Sequence, residues 1–208
     1  MFTPKPLLPF IGLSFLLLFT IPAFSQGWID DMYKEANEKF YCQGKPINPK
    51  IIDEFNGLFS DASPIIITVD LAAGNHSNKY FEDSTVSDTY ILYGIDKDGI
   101  DQGSFYYQYL GKTANNIHVV KTSENGGGSG QFEFLLFFSF KIKKASLAGI
   151  TQDDQLLMTL EGVAGLGDTH GAYGTGSDIK IVKNKVIITL TSRDQDGKEQ
   201  KSQQEINF

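Results

Sequence analysis

The sequence is poor in cysteine and arginine, and each scarcity excludes a class of protein. Its 208 residues contain one cysteine, Cys42, so the chain forms no internal disulfide and is not a small disulfide-stabilised scaffold. A buried thiol is the ordinary interpretation of Cys42. Arg193 is the only arginine among 18 basic residues, and the formal net charge is −7. Nucleic acids and anionic membrane surfaces need clustered cations, so we expect neither as a partner.

Proline is missing from most of the chain, since none follows Pro64. Proline lacks the N–H that pairs one strand with the next, so its absence beyond residue 64 favours a long series of paired strands. The residues before Pro64 follow a different pattern, which indicates first a targeting segment and then helices.

Residues 1–25 have the composition of a secretory signal peptide. Lys5 is their only charged residue, an apolar run covers Phe15–Phe19, and Ala23-Phe24-Ser25 places small residues at the cleavage positions. We therefore predict export to the periplasm or the extracellular space, with a mature chain that begins near Gln26; an uncleaved anchor is the alternative. The remaining chain has 17 basic and 25 acidic residues, and it lacks the roughly 20-residue apolar run of a membrane-spanning helix.

Residues 26–62 are predicted to form two helices that pack on the strands. Apolar side chains recur at every fourth position in the first helix, which marks one helical face. These residues are Trp28, Met32, Ala36 and Phe40. Asn48 and Pro49 supply an N-cap and a first helical position for the second helix. Its apolar face comprises Ile51, Ile52, Phe55, Leu58 and Phe59.

Residues 63–208 are predicted to form an antiparallel β domain of about eight or nine strands, which closes as a barrel or folds as a sandwich. The fold class is therefore mainly β (α+β), with two short helices before the sheet. The predicted strands are Ile65–Leu71, Asp88–Ile95, Ser104–Leu110, Ile117–Thr122, Gln131–Ile142, Gln155–Glu161, Asp178–Lys183, Val186–Arg193 and Glu199–Phe208. Gln131–Ile142 is expected to be the central strand, because one of its faces is apolar throughout and the other is apolar only in the middle.

Three polar or glycine-rich segments interrupt the strand pattern, and such segments commonly carry binding and catalytic residues. They are Gly74–Ser87, Glu124–Gly130 and Gly162–Gly176. The third contains Asp168, His170 and Tyr173, which we assign to a recognition loop. A general base at His170 with Asp168 as its neighbour is the catalytic alternative. The three histidines are not spaced as zinc ligands are, and no zinc site is predicted.

Two turns share the pattern Asp-x-Asp-Gly-x-acid-Gln, at residues 96–102 and 194–200. Calcium binds carboxylate oxygens on sharp turns, so Asp96, Asp98 and Asp101 are candidate calcium ligands. Neither turn has the glycine at the sixth position of an EF-hand loop. A tight β-turn in which the aspartate binds its own backbone is the favoured interpretation, and no cofactor is predicted.

Tyrosines are concentrated on two consecutive predicted strands. They are Tyr90, Tyr93, Tyr106, Tyr107 and Tyr109. Because side chains alternate between faces, Tyr106 and Tyr107 must point in opposite directions. Tyrosines on the face turned away from the core would provide a stacking surface for sugar or a binding hot spot for protein, and ordinary cross-strand packing is the alternative.

The sequence favours a non-enzymatic exported binding protein over two alternatives. A periplasmic inhibitor or immunity-type protein would present acidic loops to a basic protein partner. The first alternative is a calyx-type carrier that holds a small apolar or sugar ligand inside a barrel. The second is a cell-envelope hydrolase that uses His170 and Asp168. The sequence leaves the oligomeric state open.

Overall fold

The fold is mainly antiparallel β with three helices, which confirms the predicted fold class. The computed structural model describes residues 27–55, 66–76, 84–87, 90–95, 101–125, 130–144, 146–147, 150–151, 154–169, 174–194 and 196–208. The strands in these ranges form open sheets that fit a sandwich, and they do not close into a barrel. The predicted signal peptide lies outside the described residues.

The helices form one layer of the fold. They are α1 (Gly27–Lys39), α2 (Pro49–Asp53) and α3 (Leu71–His76). Helix α1 buries Met32 and Ala36 of the predicted stripe, while Trp28 is partly buried and Phe40 is buried directly after the helix. Helix α2 begins where predicted, because the Asn48 side chain accepts a hydrogen bond from the Lys50 N–H at 2.9 Å. A two-stranded hairpin of β1 (Tyr41–Cys42) and β2 (Lys45–Pro46) joins α1 to α2.

A seven-stranded antiparallel sheet forms the central layer, which we call the large sheet. Its strands are β3 (Thr68–Asp70), β4 (Thr85–Val86), β5 (Ile91–Ile95), β6 (Asp101–Lys112), β7 (His118–Glu124), β8 (Phe132–Lys143) and β11 (Gln155–Asp168). Their spatial order is β3-β11-β8-β7-β6-β5-β4. Strand β8 lies between two long neighbours, as the prediction of a central strand requires. Strands β9 (Ser146–Leu147) and β10 (Ile150–Thr151) form a separate hairpin.

A three-stranded meander forms the third layer, which we call the small sheet. Its strands are β12 (Gly176–Val182), β13 (Lys185–Arg193) and β14 (Glu199–Asn207), with β13 in the middle. Ion pairs join β13 to β14 near both ends, from Lys185 to Glu205 at 3.0 Å and from Arg193 to Glu199 at 3.1 Å. These pairs favour the observed register in a strand pair whose side chains are mostly polar.

The two faces of the large sheet are covered by different layers. On one face, buried apolar side chains of β8 and β11 pack against the helices. On the other, a second apolar cluster packs against the small sheet. The second cluster has the buried members Val119, Leu135, Phe137, Ala164, Leu166, Val186 and Ile188. The alternating side chains of β8 thus supply both cores, and its second face is covered by the small sheet only along its apolar middle.

The prediction of a loop at Gly162–Gly176 is wrong for the first half of this segment, because β11 continues to Asp168. Backbone pairing with β8 outweighs the low strand propensity of glycine there. Two register shifts, at Glu161 and at Leu166, accommodate the extra residues. Gly167 takes a positive φ of 98° at the second shift, a conformation that residues with a Cβ rarely adopt.

The predicted strand Ile65–Leu71 was too long among the described residues, where β3 covers only Thr68–Asp70. The Asp70 carboxylate ends the strand, because its Oδ1 accepts hydrogen bonds from the N–H groups of Ala72 at 3.0 Å and Ala73 at 3.4 Å. These bonds start α3, a helix that the sequence pattern did not predict.

Candidate functional site

Polar side chains of three strands meet at one end of the large sheet, on the face that also carries the small sheet. Lys121 and Ser123 project from β7, Glu133 from β8 and Tyr106 from β6, and Gln131 directly precedes β8. The register places Ser123 opposite both Tyr106 and Glu133. We call Tyr106, Lys121, Ser123, Gln131 and Glu133 the polar end. Strand alternation explains it, because these positions continue the row whose middle packs on the small sheet.

Gln131 connects the polar end to the end of β11. Its side-chain Nε2 donates to the Tyr106 hydroxyl and, at 2.9 Å, to the Ser123 Oγ. Its backbone N–H donates to Asp168 Oδ1 at 3.0 Å, and its carbonyl accepts from the Thr169 N–H at 2.9 Å. Tyr106 and Asp168, which sequence reasoning placed in separate segments, are therefore held together through one glutamine.

An ion pair lines a cleft between the two sheets. Lys121 Nζ lies 2.7 Å from Glu133 Oε2, and both side chains are largely buried, at 22% and 10% exposure. The same Nζ lies 3.4 Å from Ser177 Oγ in the small sheet. The cleft has a volume of about 450 Å³ and is lined by Lys121, Glu133, Thr169, Gly174, Thr175, Gly176, Ser177, Thr191, Arg193 and Glu199. Two cations and two carboxylates, together with hydroxyl groups, give this cleft both donors and acceptors without a net charge.

The predicted tyrosines divide between the two faces as alternation requires. Tyr90 and Tyr106 form an edge-to-face pair beside the polar end, with ring centroids 5.0 Å apart, and Tyr90 is 42% exposed. Tyr107 is fully buried on the helix side, where its hydroxyl donates to the Ile47 carbonyl. Tyr109 stacks on Phe40 on the same side. The structure thus brings Tyr90 and Tyr106 to the site and places the other two in the core.

The two core tyrosines have altered acidities because of their burial. Burial raises the pKa of Tyr109 to about 12, and it raises the pKa of Tyr107 further. Tyr93 pairs with Phe105 in the ladder between β5 and β6, and its side chain lies outside the described residues.

His118 lies in the core between the large sheet and α1, far from the polar end. Its Nε2 is 3.2 Å from Asn37 Oδ1, an acceptor, so Nε2 carries the proton and the Tyr109 hydroxyl donates to Nδ1 at 3.1 Å. Burial, and secondly the nearby Lys112, lower the pKa of His118 to about 4. The imidazole is therefore neutral at physiological pH and acts as part of the packing.

Several predicted site residues lie outside the described residues. These are His170, Tyr173, Asp96 and Asp98, and the side chain of Asp101 is outside them as well. The general-base pair and the calcium turn therefore stay predictions. In the second turn, Asp194 Oδ1 accepts from the N–H groups of Asp196 at 3.1 Å and Lys198 at 2.9 Å, which is the hydrogen bonding of a tight β-turn. The described residues contain no group of three or more His, Cys, Asp or Glu side chains placed to hold a metal ion.

Cys42 is buried in the core against the helices, as its ordinary interpretation suggested. Burial, and secondly the charge of Glu35, raise its pKa to about 12, so the thiol is protonated and unreactive at neutral pH.

Sequence reasoning missed Lys121, Ser177 and Arg193 as members of a common cleft. The signal for the strand side of this cleft was present in the predicted strand Gln131–Ile142, whose second face is polar at its ends, including Gln131 and Glu133. The partners from the small sheet had no signal, because their proximity depends on how the two sheets pack.

Comparisons with known proteins give no further guidance to function. The sequence matches no protein-family model and no curated protein, and the fold matches no solved structure. Each of the described helices is too short to cross a lipid bilayer.

Proposed function

We propose that this chain is an exported, non-enzymatic binding protein that recognises a protein partner through the polar end and the adjoining tyrosine pair. The observation that carries the proposal is the exposed Tyr90 ring packed on Tyr106, next to the ordered Gln131 network. Tyrosine is enriched among the residues that dominate protein-binding energies, because it presents a large rigid ring and a polar hydroxyl. The export step rests on the composition of residues 1–25.

The shape of the surface supports a protein partner over an enclosed small ligand. A calyx needs a closed barrel with an empty interior, and the described strands form open sheets whose two faces are filled by packed side chains. The cleft beside Lys121 and Glu133 opens to solvent at the edge of the sandwich. Its paired charges and hydroxyl groups suit the polar rim of a protein interface.

The net charge of the chain supports a basic partner. The sequence carries −7, and the segment after residue 25 has 17 basic against 25 acidic residues. A negative field accelerates encounter with a cationic protein and repels acidic ones. We therefore expect association to slow as ionic strength rises, because salt screens this field over about 10 Å at 0.1 M.

Site-specific photocrosslinking tests the proposal. A photoreactive amino acid is placed at Tyr90 in one variant and at Val182 in a second, since both side chains are 42% exposed and Val182 lies on the small sheet. In the native host, the Tyr90 position is expected to yield a discrete crosslinked protein that the Val182 position does not yield. Competition with unlabelled wild-type chain should remove this product, and competition with a Tyr90→Ser chain should not.

Two results would contradict the proposal. Identical crosslinks from both positions would mean that Tyr90 contacts nothing specific. A discrete product that Tyr90→Ser chain competes away as well as wild-type chain does would mean that the ring contributes nothing to recognition. The Val182→Ser chain serves as the matched competitor, and it should behave like wild type.

A further inference from the structure

Among the described residues, β14 is the longest edge strand of the two larger sheets. The large sheet ends at β3, with three residues, and at β4, with two, and such short edges offer little to pair with. At the other end of the small sheet, β12 lies close to the large sheet, where Ser177 meets Lys121 and the Lys183 carbonyl accepts from the Ala114 N–H. Strand β14 has nine residues, and Glu199–Glu205 are exposed on both faces.

The backbone groups of β14 that face the open edge can be identified from its hydrogen bonds to β13. The Phe208 N–H donates to the Asn184 carbonyl at 2.9 Å, and the Lys198 carbonyl accepts from Asp194 at 3.1 Å. Even-numbered residues therefore point their N–H and C=O groups towards β13. Because these groups alternate along a strand, the odd-numbered residues from Glu199 to Asn207 point theirs outwards.

This alternation restricts how a second β14 strand can pair with the first. In an antiparallel pair related by a two-fold axis, outward-facing residues must lie opposite outward-facing residues. An axis through Gln203 satisfies this rule and pairs all nine residues. It also places Lys201 opposite Glu205 of the second copy, and the reverse, on the same face of the joined sheet. Moving the axis to Ser202 would instead place Glu199 opposite Glu205.

The charges of β14 fit this register. Lys201 makes no ion pair within the described part of the chain, whereas Glu205 already contacts Lys185 at 3.0 Å. Lysines on edge strands commonly prevent strand addition. Here a second copy would place a carboxylate opposite each lysine. Each Glu205 would then lie between Lys185 of its own chain and Lys201 of the other copy, and the two-fold axis would repeat this row of three charges.

We propose that two copies of this chain associate through β14, antiparallel and with the two-fold axis at Gln203, to form a continuous six-stranded sheet. The occupant of the edge is a second copy because the strand is complementary to itself in backbone and in charge. The proposed contact does not involve Tyr90 or Tyr106, so it can be tested independently of the proposed function.

Charge reversal tests both the partner and the register. Sedimentation of the wild-type chain should show a monomer–dimer equilibrium, and Lys201→Glu or Glu205→Lys alone should weaken dimerisation by about tenfold or more, because each converts two attractive cross-strand pairs into repulsive ones. An equimolar mixture of the two variants should form a heterodimer again, since every opposed pair is then of opposite charge. Failure of the mixture to associate better than either variant would overturn the register.

Proline substitution supplies a matched control for the backbone contacts. Gln203→Pro removes an outward N–H and should abolish the dimer while the chain keeps its fold, because prolines are tolerated where the N–H faces away from the sheet. Gln204→Pro removes an inward bond to β13 and should lower the free energy of unfolding. A wild-type chain that stays monomeric up to roughly 1 mM, where even a weak dimer with a Kd of about 1 mM would be half formed, would overturn the proposal. So would a dimer that Gln203→Pro leaves intact.

Discussion

The burial of His118 predicts a specific loss of stability in acid. Its side chain is 0% exposed and neutral in the folded chain, with a pKa lowered from 6.5 to about 4 by burial first and by Lys112 second. The unfolded chain binds a proton at His118 below pH 6.5, whereas the folded chain resists it until about pH 4. The stabilisation is therefore complete above pH 6.5 and is lost as the pH falls towards and through 4.

The size of this loss follows from the difference between the two pKa values. One pKa unit corresponds to about 1.4 kcal/mol of free energy of unfolding. Relative to pH 7, His118 should lower the free energy of unfolding by about 1.2 kcal/mol at pH 5.5 and by about 3 kcal/mol at pH 4. The second figure is a large fraction of the stability of an ordinary domain.

Urea unfolding of the wild-type chain and of His118→Gln isolates this contribution. Glutamine offers a donor and an acceptor to Asn37 and Tyr109 but does not titrate, so it carries a cost that is independent of pH. The stability advantage of the wild-type chain over the variant should shrink between pH 7 and pH 4 by the amounts above. Other groups, including Glu124, whose pKa burial raises, titrate in both chains and cancel in the difference.

A constant stability difference between the two chains over this pH range would refute the reasoning. It would mean that His118 is protonated with its ordinary pKa in the folded chain, and hence that water or a carboxylate reaches the imidazole. Observation of the imidazole resonances by NMR during acid titration is an independent check, because one histidine should titrate near pH 4.

Three further predictions concern the core and use urea unfolding or thiol labelling. Tyr107→Phe should lower the free energy of unfolding by about 1–3 kcal/mol, because the Ile47 carbonyl loses its buried partner. Phe138→Ala should cost about 3–5 kcal/mol because Phe138 is fully buried, whereas Phe132→Ala should cost less than about 0.5 kcal/mol because Phe132, at the end of the same strand, is 51% exposed. Equal costs would contradict this difference in burial. Cys42 should react with a thiol reagent only as fast as the chain opens, and rapid labelling of the folded chain would contradict its burial.

The faces of the strands could be predicted from the sequence, because alternation is a local property. The positions of Phe134, Leu136 and Phe138 on one face and of Glu133 and Leu135 on the other are read from a period of two. The same rule predicts that Tyr106 and Tyr107 lie on opposite faces. Alternation does not determine which layer covers each face. The sequence therefore does not reveal that helices cover Tyr107, or that the small sheet lies beside Tyr106.

The site could be predicted only in part, because its members come from distant segments. Asp168 was found as a polar residue in a glycine-rich segment, but its hydrogen bond to Gln131 depends on β11 continuing past Gly162. Local propensity favours a loop there, and pairing with β8 overrides it. The pairing of Lys121 with Glu133 requires the register of β7 and β8, and the contact with Ser177 requires the packing of two sheets. None of these follows from spacing along the chain.

The two register shifts in β11 have a consequence for insertions and deletions. Each shift places one extra residue, Glu161 or Leu166, in β11 without a partner of its own on β8. Loss of the extra residue would make the pairing regular at that point, and the residues beyond it would keep their partners and their faces. Loss of a regularly paired residue such as Leu157 would instead move its neighbours to the opposite face. The exposed Glu161 is therefore the position at which β11 should best tolerate a single-residue deletion, whereas loss of Leu166 would also remove a buried side chain.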